Sequence, residues 1–128
     1  MKPTLATVPA AVVLSLTGIV TLFAPEILLS NILGTADATH PLVSMLGGLM
    51  LAFGYMNWMG RNAILGGIYG KPLVMGNLLH GIVGTTSLLD LVTQQSPLPA
   101  WGLLAFYVWY TVSYGILMTR PPWKPEAS

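Results

Sequence analysis

The sequence contains no cysteine and very little charge. Lys and Arg supply five of its 128 residues and Asp and Glu supply four, so charged residues make up 7% of the chain, against about 25% in a soluble domain. Without cysteine there is no disulfide framework, no thiolate metal site and no thiol redox chemistry. So few ionic groups cannot cover the surface of a soluble domain of this size. The net charge of +1 also gives no basic surface for nucleic acid, so we expect no nucleic-acid partner.

The apolar residues form four long runs, at residues 5–24, 42–59, 73–92 and 100–118. Helices of this length are about 27–30 Å long, which matches the hydrocarbon core of a bilayer. We therefore expect an all-α, polytopic membrane protein whose residues 1–128 form a single membrane domain. The expected architecture is a bundle of four transmembrane helices with the lipid bilayer as its partner.

The positions of the cations predict how the bundle is oriented. In a chain with four spans, the two chain ends and the loop between the second and third runs lie on the same side of the membrane. All five cations are on that side: Lys2, Arg61, Lys71, Arg120 and Lys124. Lys and Arg near span ends are retained on the cytoplasmic side. We therefore expect both termini to be cytoplasmic.

The segment at residues 25–33 is apolar but too short to cross a membrane. It begins with Pro25 and Glu26 and is followed by Gly34, which is the pattern of a helix start and a C-cap. We predict a short interfacial helix here. A hydrophobic loop lying over the bundle is the alternative.

The first run has a second interpretation, as a cleaved signal peptide. Lys2 precedes the apolar residues, and Ala36-Asp37-Ala38 has the small residues of a cleavage site. The run is longer than the apolar region of a signal peptide, which has about 7–15 residues. Its length favours a transmembrane helix.

Polar and small residues share one face of the third predicted helix. Gly76, Asn77, His80, Gly81 and Gly84 recur at spacings of three and four, which places them on one stripe. Glycines in such a stripe let a neighbouring backbone approach closely. This face is therefore expected to pack against protein.

Polar residues on the second and fourth helices lie at a similar depth to that stripe. Because an ionisable residue inside a membrane indicates a functional site, we expect a ligand-binding cluster around the histidine. Its candidate residues are His80, Asn77, Asn57, Arg61, Tyr110 and Tyr114.

The alternative for this cluster is purely structural, because Asn and His also link membrane helices by hydrogen bonds worth about 0.6–2 kcal/mol. No carboxylate or second histidine lies at the same depth to complete an acid–base pair or a metal site. We expect no catalytic residues and no metal.

Asp90 is the one acidic residue inside a predicted span, close to the outer end of the third helix. It is a candidate ion or proton site. Its alternative role is contact with interfacial water, since the cost of a charge falls near the membrane surface.

Two stretches give the chain a resemblance to a known family. The first stretch is Thr17-Gly18, followed by Leu22-Phe23-Ala24-Pro25-Glu26. The second is Gly47-Gly48-Leu49-Met50-Leu51-Ala52-Phe53-Gly54, followed by Trp58 and Arg61. In these stretches, and in the order and length of its four spans, the chain resembles the small four-helix DoxX-like membrane families. The resemblance implies a compact four-helix bundle with cytoplasmic termini. Some relatives are linked to quinone-coupled sulfur oxidation and others to the assembly of membrane proteins, and no catalytic motif transfers to residues of this chain.

The function predicted from these features is that of a binding, scaffold or assembly subunit. It would accommodate an apolar ligand or a membrane-protein partner, including a second copy of the chain, between spans two, three and four. The first alternative is a quinone-binding subunit of a membrane oxidoreductase, with a quinone or another lipid-like molecule as cofactor. The second alternative is a small proton-coupled transporter.

Overall fold

A computed structural model of the protein describes residues 2–30, 40–63, 68 and 70–119. These residues form five helices: α1 (Thr4–Phe23), α2 (Pro25–Leu28), α3 (His40–Gly60), α4 (Gly70–Leu91) and α5 (Leu98–Thr119). All except α2 are apolar and long enough to cross a membrane. The protein is therefore a multi-pass integral membrane protein with an all-α fold, as its four apolar runs predict.

Prolines lie in the first turns of the long helices that follow α2. Pro41, Pro72 and Pro99 take these positions in α3, α4 and α5, where a missing backbone N–H removes no hydrogen bond of the helix. Pro25 is likewise the first residue of α2. The prolines thus mark helix starts at little energetic cost.

A short helix lies at the start of the segment that is predicted to be interfacial. α2 starts at Pro25, and the backbone stays helical through Ser30. Residues 31–33, Gly34 and the Ala36–Ala38 stretch lie outside the described residues. Leu28 and Leu29 are buried with Val43 of α3, so the apolar side of this short segment packs on the bundle.

Glycines bring α1 and α3 into very close contact. A methyl group on Gly18 would lie 2.6 Å from the backbone nitrogen of Leu51, and one on Gly47 would lie 2.5 Å from that of Leu22. Only residues without a side chain allow such an approach. These contacts pair the end of α1 with the beginning of α3, so the two helices run antiparallel.

α4 and α5 form a second antiparallel pair. Gly81 lies against Thr111, and Gly84 lies against the ring of Tyr107. The hydroxyls of Thr85 and Thr111 share a hydrogen bond of 2.9 Å. The stripe of small residues on α4 therefore packs against protein, as its spacing predicts.

The two pairs meet to form a four-helix bundle. Ala6, Ala10 and Leu14 of α1 are buried in one cluster with Tyr110 and Tyr114 of α5. We call the end of the bundle where α3 ends and α4 begins the Arg61 end. The opposite end, where α1 ends and α5 begins, is the Pro25 end.

Candidate functional site

Four buried polar side chains form a hydrogen-bonded cluster near the Arg61 end, which we call the polar quartet: Asn57, Asn77, Tyr110 and Tyr114. Asn57 Nδ2 donates to Asn77 Oδ1 over 2.5 Å. The Tyr110 hydroxyl donates to Asn77 Oδ1, and the Tyr114 hydroxyl donates to Asn57 Oδ1. The quartet joins α3, α4 and α5 by side-chain hydrogen bonds.

The quartet is closed to its surroundings. Each asparagine also donates to the carbonyl oxygen four residues earlier in its own helix, Asn57 to Phe53 over 2.8 Å and Asn77 to Leu73 over 2.7 Å. All four side chains are fully buried. Buried polar groups that satisfy one another in this way fix the positions of the elements that carry them. The quartet can hold three helices in register, but it offers no accessible surface to a ligand.

His80 lies beside the quartet in a different environment. Its Nε2 and the Tyr107 hydroxyl form a hydrogen bond of 3.1 Å, in which the hydroxyl donates or accepts according to the imidazole tautomer. The Phe53 ring is stacked on the imidazole, with centroids 4.5 Å apart and planes 12° from parallel. His80 is half-buried, unlike the members of the quartet.

Gly84 explains how Tyr107 reaches His80. A methyl group on Gly84 would overlap the Tyr107 ring, so the missing side chain lets the ring lie directly against α4. His80 is four residues before Gly84, one helical turn along the same face. The glycine therefore places the tyrosine hydroxyl next to the imidazole.

A cleft of about 230 Å³ separates α3 from α4 on the Pro25 side of His80. We call it the α3–α4 cleft. Tyr107 and Leu103 of α5 line it from within the bundle, and Leu28 of α2 borders it. The residues from the two diverging helices include Leu46, Leu49, Met50, Val83, Leu88 and Leu91.

The cleft has few polar groups in an otherwise apolar wall. His80, Tyr107 and Ser87 carry its polar side-chain groups. Leu46, Leu49, Val83 and Leu91 line it but are also exposed on the outside of the bundle, where a transmembrane helix meets lipid. The cleft is therefore open between α3 and α4, with apolar residues around the opening.

The candidate residue Arg61 lies neither in the polar quartet nor beside His80 and Tyr107. Its Nη1 donates to the carbonyl oxygen of Trp58 over 2.6 Å, and its guanidinium lies 4.1 Å from the centre of the Trp58 ring. Such an Arg–Trp pair is typical of the membrane interface. These contacts hold the side chain at the end of α3.

Asp90 is exposed one residue before the end of α4. It is not among the residues that line the cleft. This position favours contact with interfacial water over proton transfer within the bundle. Among the described residues, no group of three His, Asp or Glu side chains lies close enough together to hold a metal ion.

Two partners of His80 were missed from the sequence. Tyr107 carries the same phenol hydroxyl as the candidates Tyr110 and Tyr114, whereas Phe53 carries no polar atom and has no chemical signature of a site. The available signal was spacing: Tyr107 precedes Tyr110 and Tyr114 at intervals of three and four, which puts all three rings on one face of α5.

Comparison of the chain with protein-family models, with curated proteins and with solved structures finds no match. The resemblance to the DoxX-like families is therefore unsupported beyond the four membrane helices.

Proposed function

We propose that this protein is a non-catalytic binding, scaffold or assembly subunit that holds a single-chain apolar ligand in the α3–α4 cleft. The observation that carries the proposal is the cleft itself. It opens to the bilayer between α3 and α4, and its wall is apolar except for Ser87 and the hydrogen-bonded pair of His80 and Tyr107. A ligand can enter it from the membrane without crossing water.

The size of the cleft supports a single chain. Its volume of about 230 Å³ is below the roughly 300–1,000 Å³ of sites that enclose a whole drug-sized molecule. A ligand with one long chain can place part of its length between Leu49 and Val83, which line the cleft, and leave the rest in the surrounding lipid.

The chemistry around His80 supports binding more than catalysis. None of the described residues that line the cleft is Asp, Glu, Lys, Arg or a second His. General acid–base catalysis usually relies on a titratable group tuned and oriented by charged or basic neighbours. His80 and Tyr107 are well suited to donate and accept hydrogen bonds.

The same proposal includes the orientation of the bundle in the membrane. Arg61 and Lys71 flank the loop between α3 and α4, and Lys2 precedes α1. The positive-inside rule then puts the Arg61 end and both chain termini in the cytoplasm. The Pro25 end, with the outer part of the cleft, faces the opposite side.

Native mass spectrometry of the protein, extracted from a lipid membrane in mild detergent, tests ligand binding. Wild type is expected to retain one small apolar adduct. Val83→Trp should lose the adduct, because Val83 lines the cleft and a larger ring fills it. Ile82→Trp is the matched control, since Ile82 is the preceding exposed residue of α4 and does not line the cleft.

Retention of the adduct by the Val83→Trp variant would place the ligand elsewhere. Wild type that carries no adduct and takes up no added long-chain compound would overturn the proposal.

A quinone-binding subunit of a membrane oxidoreductase is the second candidate. The observation that favours it is the hydrogen bond between His80 and Tyr107, because either group can donate to a quinone carbonyl. Organic extraction of the purified protein should then yield a quinone in amounts close to one per chain, identified by its redox difference spectrum. An adduct without that spectrum would exclude this candidate.

A further inference from the structure

We propose that the head group of the ligand is an uncharged oxygen function, a hydroxyl or a carbonyl, which His80 binds near the middle of the membrane. This inference rests on the proposed function, since it specifies the chemistry of a ligand in the α3–α4 cleft. It also predicts that lipids with charged head groups are excluded from the cleft.

The depth of His80 is the first argument. His80 is at the centre of α4, ten residues after Gly70 and eleven before Leu91. At 1.5 Å per residue this is about 15 Å from either end of the helix, half the thickness of a hydrocarbon core. A head group bound here is far from water on both sides.

The absence of compensating charge is the second argument. None of the described residues that line the cleft is charged. Lys71 and Asp90, the charged residues of α4, and Arg61, which follows α3, are not among them. A phosphate, carboxylate or ammonium at this depth would be unpaired in an apolar medium, which is strongly unfavourable. A neutral oxygen function does not carry this cost.

The hydrogen-bonding capacity of the imidazole is the third argument. Nε2 is occupied by the Tyr107 hydroxyl, and Phe53 covers one face of the ring. Nδ1 has no hydrogen-bond partner among the described residues and is not sealed inside the protein. One polar atom of His80 therefore remains available to a ligand.

The tautomer of His80 allows either kind of oxygen. If the Tyr107 hydroxyl donates to Nε2, then Nδ1 carries the proton and donates to a carbonyl oxygen. If Nε2 carries the proton and donates to Tyr107, then Nδ1 accepts from a hydroxyl. Both arrangements keep the imidazole neutral and all its polar atoms paired.

The rest of the cleft sets the direction of the chain. The wall beyond His80 continues along α4 through Val83 and Leu88 to Leu91, which is about 16 Å of helix. A chain that follows it runs from the middle of the membrane toward the Pro25 end. The head group of an ordinary phospholipid would be at the wrong end of such a chain.

Histidine-selective NMR can test this proposal because the chain has only two histidines, His40 and His80. The protein, with nitrogen-15 in its imidazoles and carbon-13 in its Val and Leu methyls, is placed in lipid nanodiscs. It is titrated with decanol, a decyl-substituted benzoquinone, decane and decyl sulfate. The methyl signals of Val83 and Leu49 report occupancy of the cleft, and the His80 ring nitrogens report contact with the head group.

Decanol and the benzoquinone are expected to shift the Val83 methyl signals and the His80 ring-nitrogen signals, while His40 is unchanged. Decane should shift the methyl signals alone. Decyl sulfate should bind at least about tenfold more weakly than decanol, because its charge enters an apolar site.

The His80→Phe variant separates a head-group contact from a packing effect, since it keeps an aromatic ring to stack on Phe53 and removes both nitrogens. In this variant decanol should lose its advantage over decane. An unchanged preference for decanol would overturn the proposal, as would decyl sulfate binding as tightly as decanol to wild type. If none of the four compounds shifts the methyl signals, the proposed function itself fails.

Discussion

Adding one methyl group at Gly47 or at Gly48 is expected to change stability in opposite directions. A methyl on Gly47 would lie 2.5 Å from the backbone nitrogen of Leu22, whereas ordinary contact begins at 3.4 Å. α1 would have to move away from α3 by about 0.9 Å, the difference between these two distances. A methyl on Gly48 meets nothing within 4 Å.

The expected magnitudes follow from these distances. In both variants the change from glycine to alanine favours the helix by about 0.5–1 kcal/mol. At Gly47 the forced separation of two packed helices costs about 1–3 kcal/mol. The Gly47→Ala variant should therefore be less stable than Gly48→Ala by about 1–3 kcal/mol, and Gly48→Ala should be at least as stable as wild type.

Reversible unfolding in mixed micelles, followed by circular dichroism, measures both variants under the same conditions. Equal stabilities, or a Gly47→Ala variant more stable than Gly48→Ala, would refute the close packing of α1 on α3. The adjacent positions share sequence context and depth, so the comparison isolates the contact with α1.

Two further substitutions test the polar groups. Asn77→Leu removes the hydrogen bonds of Asn77 with Asn57 and Tyr110. Because each interhelical hydrogen bond contributes about 0.6–1.7 kcal/mol, this variant should have a free energy of unfolding about 1–3 kcal/mol lower than wild type in the same micelle assay. Gly84→Ala should displace the Tyr107 ring, break its hydrogen bond with His80, and shift the His80 ring-nitrogen signals in the absence of any ligand.

Each of these variants has a matched control. Asn62→Leu makes the same replacement at an exposed asparagine, so an Asn77→Leu variant no less stable than Asn62→Leu would contradict the role of the quartet. Gly102→Ala adds a methyl where nothing lies within 4 Å. Identical His80 spectra in the two alanine variants would contradict the positioning role of Gly84.

The polar quartet could be anticipated from the sequence because depth and helix phase are both readable along a chain. Asn57 is close to the end of one apolar run and Asn77 is close to the beginning of the next. Consecutive antiparallel spans bring such residues to the same level. Tyr110 and Tyr114 reach that level on the last span, and the structure joins all four.

Gly47, Gly54 and Asn57 form a stripe of small and polar residues along α3, and their spacing only partly reveals that this stripe contacts two different neighbours. Gly47 and Gly54 are seven residues apart and face α1. Asn57 is three residues after Gly54, so the two side positions are about 60° apart around the helix axis. Asn57 therefore contacts α4 and α5 and not α1. One stripe therefore serves two neighbours.

The contacts of the Arg61 side chain and the shape of the α3–α4 cleft lay beyond what the sequence could predict. The Arg61 side chain contacts Trp58 in the last turn of α3. The sequence does not show whether a flexible cationic side chain makes such a local contact or enters the bundle. The cleft depends on how far α3 and α4 diverge, which is decided by packing of the whole bundle. The apolar residues that line it look the same as those that face lipid.

Both proposals require the α3–α4 cleft to hold a ligand whose head group contacts His80. A crystal structure of wild-type protein grown in a lipid mesophase tests it most directly. We expect elongated density that begins within hydrogen-bond distance of His80 Nδ1 and extends between Leu49 and Val83 toward the Pro25 end. A closed interface, with α3 and α4 in side-chain contact along their whole length and no density between them, would contradict it.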